Sequence, residues 1–146
     1  MKSVDPGILE QSVCFPFTPP KSAQELFFYP VWCGHYFCTD HYFMRRMSYP
    51  PLLVVFVRKG ILRVEYRGET RRAEAGDVVL LDCMEPHYYH AENGLEFLYM
   101  HFDGSNAHAI TRYIIETSGW MIQRENNTLV GDLLFDMVRF YQDGGV

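Results

Sequence analysis

Between residues 52 and 104 apolar and polar positions alternate in short runs, with a period near two rather than the helical 3.6. The pattern predicts strands over 52–58, 61–67, 78–81, 87–90 and 96–102, each bounded by glycine, proline or a polar turn. Two more apolar runs, 31–38 and 42–47, predict an earlier strand pair, and a short strand is expected near 70–73. Gly60 and Gly68 are expected to end strands, with Arg67-Gly68-Glu69 reversing the chain. Asn93-Gly94 predicts a tight hairpin joining 87–90 to 96–102, because both residue types tolerate positive φ. Strands linked by turns, with no helices between them, predict an antiparallel sandwich or small barrel. The interior of such a barrel can hold one small molecule.

After Gly104 the period changes. Ser105 or Asn106 is placed to cap a helix over 107–117, which Gly119 ends. A second helix is predicted over 129–142, with Thr128 as its N-cap and Gly144-Gly145 beyond its end. It carries two apolar rows: Leu129, Leu133, Met137 and Phe140, and beside them Val130, Leu134, Val138 and Tyr141. Two rows are more than one partner needs. Either the helix is wedged deeply on the barrel, or the first row is a dimer interface. The chain thus divides into an arm and barrel, 1–104, and a helical segment, 105–146, for dimerisation and the start of a linker.

Residues 1–30 contain Pro6, Pro16, Pro19, Pro20 and Pro30, which suits an arm or edge segments rather than a central strand. Phe15, Phe17, Phe27, Phe28 and Tyr29 are too apolar for a free tail. The arm is expected to lie on the barrel, across its mouth.

The whole is 146 residues, enough for one domain with one core. A net charge of −5 argues against nucleic-acid binding by this segment alone, since phosphates need a basic face. Arg45-Arg46 and Arg71-Arg72 are too small to reverse that balance. No stretch approaches the roughly 20 apolar residues of a membrane span, and Met1-Lys2-Ser3-Val4-Asp5-Pro6 lacks a signal-peptide core. A cytoplasmic location with no membrane partner is expected. Cys14, Cys33, Cys38 and Cys83 lack CxxC spacing and read as thiols, with Cys33 and Cys83 buried hydrophobes.

A barrel with scattered histidines invites a test for metal. Many cupin enzymes hold a metal with two His and one Glu before a glycine and a third His after a second glycine. Counting back from Gly60 puts the carboxylate position on Leu53, and no histidine pair lies between Arg46 and Tyr49. Only His87, eleven residues after Gly76, matches. One imidazole does not make a site that needs about three donors. His35, His41, His90, His101 and His108 have no supporting spacing. Neither GxSxG, HExxH nor a phosphate-binding glycine loop occurs. No catalytic residue, metal ligand or cofactor is assigned, and binding without turnover is the expectation. A metal-dependent cupin enzyme, an isomerase or dioxygenase, is the alternative, and a filled barrel serving only dimerisation is a third reading.

The phrases Leu53-Val54-Val55-Phe56-Val57-Arg58-Lys59-Gly60, Ala75-Gly76-Asp77-Val78-Val79-Leu80-Leu81 and Met100-His101-Phe102-Asp103-Gly104 resemble the N-terminal effector-binding domain of AraC-type transcription regulators. The resemblance runs from about Trp32 to Tyr141. It implies a mainly β fold: a cupin-like double-stranded antiparallel β-barrel, or jelly roll, free of metal and followed by two C-terminal α-helices. It also implies a small-molecule effector, a homodimer, and DNA binding only through a C-terminal helix-turn-helix unit that this chain lacks. In sugar-responsive relatives an arginine on the strand before the central bend contacts the ligand, and Arg45 matches it, fifteen residues before Gly60. Tyr89 matches a tyrosine two residues after the loop histidine, His87, and Tyr99 matches an aromatic residue that stacks on the sugar ring. A ligand-contacting histidine of those relatives corresponds here to Phe97, which cannot hydrogen-bond, so the same sugar is not implied. Cys83 stands where the family commonly has proline.

Strand alternation agrees in part. It puts Phe97, Tyr99 and His101 on one face and Leu98, Met100 and Phe102 on the other, and pairs His87 with Tyr89. Rings with polar tips suit a pocket, and a uniformly apolar face suits packing beneath helices. Phe97 and Tyr99 could equally fill a small barrel, and His101 could be a core histidine bonded to a carbonyl. Of Arg45 and Arg46, one must point inward, where an arginine needs an anion or several acceptors. Trp32 and His35 are further candidates near the mouth. The expected ligand is a small polar metabolite, with a carbohydrate among the candidates.

Overall fold

The structure, a computed structural model, describes residues 1–2, 5–125 and 127–145. Its frame is two long strands, β4 (Leu52–Tyr66) and β7 (His87–Gly104), paired antiparallel from Leu52↔Phe102 to Tyr66↔His87. Around the upper half of this pair lie β1 (Val13–Pro16), β2 (Phe28–Phe37), β6 (Val78–Asp82) and β8 (Met121–Ile122), in the order β1-β2-β7-β4-β6-β8. Against the lower half β3 (Phe43–Arg46) pairs with β7 and β5 (Glu69–Ala73) pairs with β4. Each long strand therefore serves both halves of a roll, and the core lies between their inward faces. This is the cupin-like jelly roll with C-terminal helices that the resemblance implied.

The course of the long strands corrects two expectations. Gly60 lies inside β4, and Asn93-Gly94 lies inside β7. Segments 87–90 and 96–102 do not pair with each other; both pair with β4. Between Lys59↔Glu96 and Ile61↔Glu92 two steps along β4 face four along β7, so Asn93-Gly94 forms a bulge. Positive φ at Gly60, Asn93 and Gly94 bends both strands at one level. A Cβ on Gly60 would sit 2.7 Å from the Leu95 nitrogen, which is why the bend needs glycine. Arg67-Gly68 does reverse the chain, joining β4 to β5 with both residues at positive φ.

The apolar N-terminal segment is more ordered than expected. It supplies edge strand β1 and a short helix α1 (Lys21–Leu26), and Phe28–Pro30 already belong to β2. The later helices are α2 (Ala107–Ser118) and α3 (Thr128–Gln142), close to the predicted spans. Thr128 is the first residue of α3 rather than its cap. Asn127 takes the cap position, and its side-chain amide donates to the carbonyls of Gly76, Ile122 and Gln123. Val146 lies outside the described residues.

The inner core between the two halves contains Leu53, Val55, Val57, Leu62, Val64 and Leu81, all at most 1 % exposed. A second core lies outside the upper sheet, where Leu134 and Val138 of α3 meet Cys33 and Leu98. Burying each such aliphatic side chain contributes about 1.5–3 kcal/mol. Helix α3 can approach because Gly131 faces the Phe56 ring, which a Cβ would meet at 2.7 Å. Of its two apolar rows, Val130, Leu134 and Val138 turn to the sheet. Leu129, Leu133 and Phe140 remain 66 %, 60 % and 52 % exposed, and Met137 is half-buried against the second core. No described helix is long and apolar enough to cross a membrane.

Candidate ligand-binding site

Inward side chains leave a cavity of about 340 Å³ between the two halves of the roll. Alternation along each strand decides which residues reach it. From β7 come Phe97, Tyr99 and His101; from β2 Trp32 and Tyr36; from β3 Met44 and Arg46. Cys14 of β1, Tyr42, Tyr49, Tyr89 and Leu53 complete the walls, and Met1, Lys2 and Asp5 of the arm lie at the cavity. The arm is tied there by the Cys14 amide, which donates to the Met1 carbonyl at 2.9 Å.

One wall is a packed set of rings with polar tips. Tyr36 stands edge-on to Tyr99 and Phe97, at centroid distances of 4.9 and 5.5 Å. The Tyr99 hydroxyl donates to that of Tyr36 at 3.1 Å. Burial raises the phenol pKa of both Tyr99 and Tyr89, so both remain neutral donors. Gly34, opposite Tyr99 in the β2–β7 register, makes room for that ring: a Cβ there would meet Tyr99 Cε1 at 2.6 Å.

The other wall is cationic. Arg46 stacks its guanidinium on Tyr49, 4.4 Å from the ring centroid, and Tyr49 in turn meets His101 edge-on at 5.1 Å. His101 Nδ1 lies 3.3 Å from the Leu52 carbonyl. A carbonyl only accepts, so the proton is on Nδ1 and Nε2 carries a lone pair. Burial, with the positive charge of Arg46 second, pushes the His101 pKa down to about 3. The same two causes lower the pKa of His87, against the hydrogen bond between its Nδ1 and the Glu85 carbonyl. Arg46 Nη1 and His87 Nε2 are both buried without a hydrogen-bond partner.

The expected site residues separate clearly. Trp32, Tyr89, Phe97, Tyr99 and His101 are brought together around the cavity. His101 is at once bonded to a backbone carbonyl, as the core reading expected, and part of the wall. His87 is buried behind Tyr89, ring to ring at 6.3 Å, and borders a separate outer cleft instead. Arg45 is not at the cavity: it lies on the outer face of β3, over the Tyr88 ring at 4.3 Å. Its neighbour Arg46 holds the inward position, since a shift of one residue along a strand exchanges faces. His35 is also turned away. It shares its face with Cys33, pairs with Glu96 at 2.8 Å and meets Phe135 of α3. Trp32 and His35 are three apart on one strand and cannot both face inward. Tyr36, Tyr42 and Tyr49 were not anticipated; for Tyr36 the signal was its even spacing from Trp32.

Three of the four buried cysteines are held as unreactive thiols. Burial pushes the thiols of Cys33, Cys38 and Cys83 up to about 12. Among the described residues no group of three or more His, Cys, Asp or Glu side chains comes together to hold a metal ion.

Comparison with known proteins identifies the family and the fold. The family model described as the AraC-like ligand binding domain matches residues 29–141. The chain belongs to that family. The matched span of this AraC-like domain begins within β2 and ends within α3, so it includes the strands that wall the cavity apart from β1, and the arm lies outside it. A search of curated protein sequences finds no match. Among solved structures the domain is similar to KdgF from Halomonas sp., with a TM-score of 0.52 and 18 % identity over 74 % of this chain and 88 % of that one. It is similar to YhaK from Escherichia coli, with a TM-score of 0.55 and 13 % identity over 68 % and 47 %. It also resembles an HTH_3 family transcriptional regulator from Vibrio cholerae, with a TM-score of 0.50 and 13 % identity over 64 % and 52 %. The domain thus spans about half of the last two chains. At these identities the likeness is one of fold.

Proposed function

We propose that this AraC-like domain is the ligand-sensing and dimerisation unit of a transcription regulator, and that a small polar metabolite binds in the cavity between its sheets. The observation that carries the reading is the cavity itself: about 340 Å³, walled by Trp32, Tyr89, Tyr99, His101 and Arg46, in a ligand-binding family. Ring faces supply contact area, and hydroxyls, an imidazole lone pair and a guanidinium supply orientation. The output is conformational rather than catalytic. Cytoplasmic regulation of this kind fits the resemblance to a transcriptional regulator in fold.

Arm and helix give the ligand two means of acting. Met1, Lys2 and Asp5 lie at the cavity, so a ligand touches the arm as well as the barrel. To act as a switch it must favour one arm arrangement by about 1–3 kcal/mol. The exposed row Leu129, Leu133 and Phe140 supports self-association through α3, with Met137 at its edge. A homodimer would join two DNA-reading heads and raise their joint affinity.

A thermal-shift screen against sugars, sugar acids and other small metabolites tests the sensing role. A ligand of the folded state raises the melting temperature with its concentration over Kd. The expected result is a hit whose calorimetric affinity falls with Tyr99→Ala. Turnover of such a compound by the purified domain would contradict the reading.

A further inference from the structure

Arg46 is the feature that a neutral ligand leaves unexplained. Its Nη1 is buried without a partner, and its guanidinium rests on an aromatic face. The ion pairs of the described residues all belong to other cations, among them Arg58, Arg63, Arg67, Arg72 and Arg112. Acidic groups border both spaces that Arg46 reaches, Asp5 of the arm at the cavity and Glu65, Glu69 and Glu85 at the outer cleft, and none of them forms an ion pair with Arg46 among those of the described residues. Glu85 is taken by Arg67 and Tyr66, and Glu69 accepts from Trp120 Nε1 at 3.1 Å. Nearby, His101 and His87 are held neutral, and Lys2 of the arm, which also lines the cavity, donates to the Glu10 carbonyl.

Arg46 is half-buried, its buried Nη1 lacks an acceptor, and a carboxylate is the group whose two oxygens fit its planar donors. Beside it His101 Nε2 offers a lone pair, suited to a hydroxyl hydrogen of the ligand. The rings of Trp32 and Tyr99 line the same cavity, Tyr99 with its centroid 5.8 Å from that of His101. We infer that the effector is a small organic acid, with its carboxylate on Arg46 and a ring or sugar-like body against Trp32 and Tyr99. The inference rests on the sensing role proposed above and narrows it from a polar molecule to an anionic one.

The test uses matched probes of the intact chain: glucuronate against glucose, and benzoate against benzamide, in calorimetry and thermal shift. At least one acid should bind more tightly than its uncharged counterpart. Arg46→Gln should weaken that acid by about 30-fold or more, the loss typical of removing a buried charge partner. Arg46→Lys, which keeps the charge, should recover part of the affinity, and its melting curve guards against a folding defect. Equal or tighter binding of the uncharged member, or full acid binding by Arg46→Gln, would overturn the inference while leaving the sensing role intact. No response to either acid at millimolar concentration would also overturn it, and the sensing role would then rest on the wider screen.

Discussion

The two faces of β7 between Phe97 and Phe102 differ in what they are built to do. Outward, Leu98 is sealed beneath α3 with Leu134 and Val138, and Met100 packs beside it. Inward, Phe97, Tyr99 and His101 are buried too, yet they wall a cavity of about 340 Å³. The outer face is apolar throughout: it is closed at Leu98, while Met100 and Phe102 border an apolar groove of about 380 Å³ with Val54, Leu80, Ile110 and Ile114. The inner face carries rings with polar tips and stands beside Arg46, whose buried Nη1 has no hydrogen-bond partner. The two faces differ in chemistry: an apolar outer face gains from burial alone, whereas buried hydroxyls, an imidazole and a guanidinium cost folding free energy unless they are partnered. The contrast separates packing from binding within six consecutive residues.

The largest expected effect comes from opening the closed face. Leu98→Ala should cost about 2–5 kcal/mol in urea denaturation, because Leu98 is 1 % exposed and α3 cannot collapse fully onto the gap. A loss near that of a surface position would mean that α3 is not seated there.

Acid should strain the inner face next. His101 is neutral when folded down to about pH 3 but protonates near 6.5 when unfolded. The unfolded chain therefore binds more protons between these values, and stability falls as pH drops through that window. By pH 4 the loss amounts to about 3 kcal/mol. His101→Gln should flatten this part of the profile, and an unchanged slope would locate the effect elsewhere.

Smaller changes sharpen the contrast. Tyr99→Phe removes the hydroxyl bonded to Tyr36 and should cost about 0.5–1.5 kcal/mol in stability. It should weaken a bound effector as well, whereas an equal loss at Leu98 should leave affinity per folded molecule unchanged. Leu133→Glu, on the exposed row of α3, should alter stability by no more than about 0.5 kcal/mol. It should nevertheless abolish self-association in equilibrium sedimentation. An unaltered dimer would remove that row from the interface.

Much of this contrast was legible along the chain. A period of two assigns Phe97, Tyr99 and His101 to one face without coordinates, and the mixed chemistry of that set already suggests a pocket. The two rows of α3 were equally readable from helical spacing. Connectivity was less so. Asn93-Gly94 has hairpin chemistry, but the positive φ it supplies serves a bulge, because β4 offers both halves of β7 a longer partner. The choice between Arg45 and Arg46 stays open along the chain for a related reason. Counting fifteen residues back from Gly60 crosses the irregular segment 47–51, where no strand alternation fixes the face, and the inward side chain is Arg46. His35 failed because three residues separate it from Trp32. The aromatic wall of Tyr36, Tyr42 and Tyr49 draws on three separate segments that only the closed roll brings together.

The central claim is that binding belongs to the inner face alone. Amide and side-chain NMR shifts, followed as the tightest hit of the screen is titrated in, test it most directly. The account predicts changes at Trp32, Arg46, Tyr89, Tyr99 and His101, with Leu98, Leu134 and Val138 nearly still. Changes centred on α3 and the outer sheet face, with the cavity residues unmoved, would contradict it.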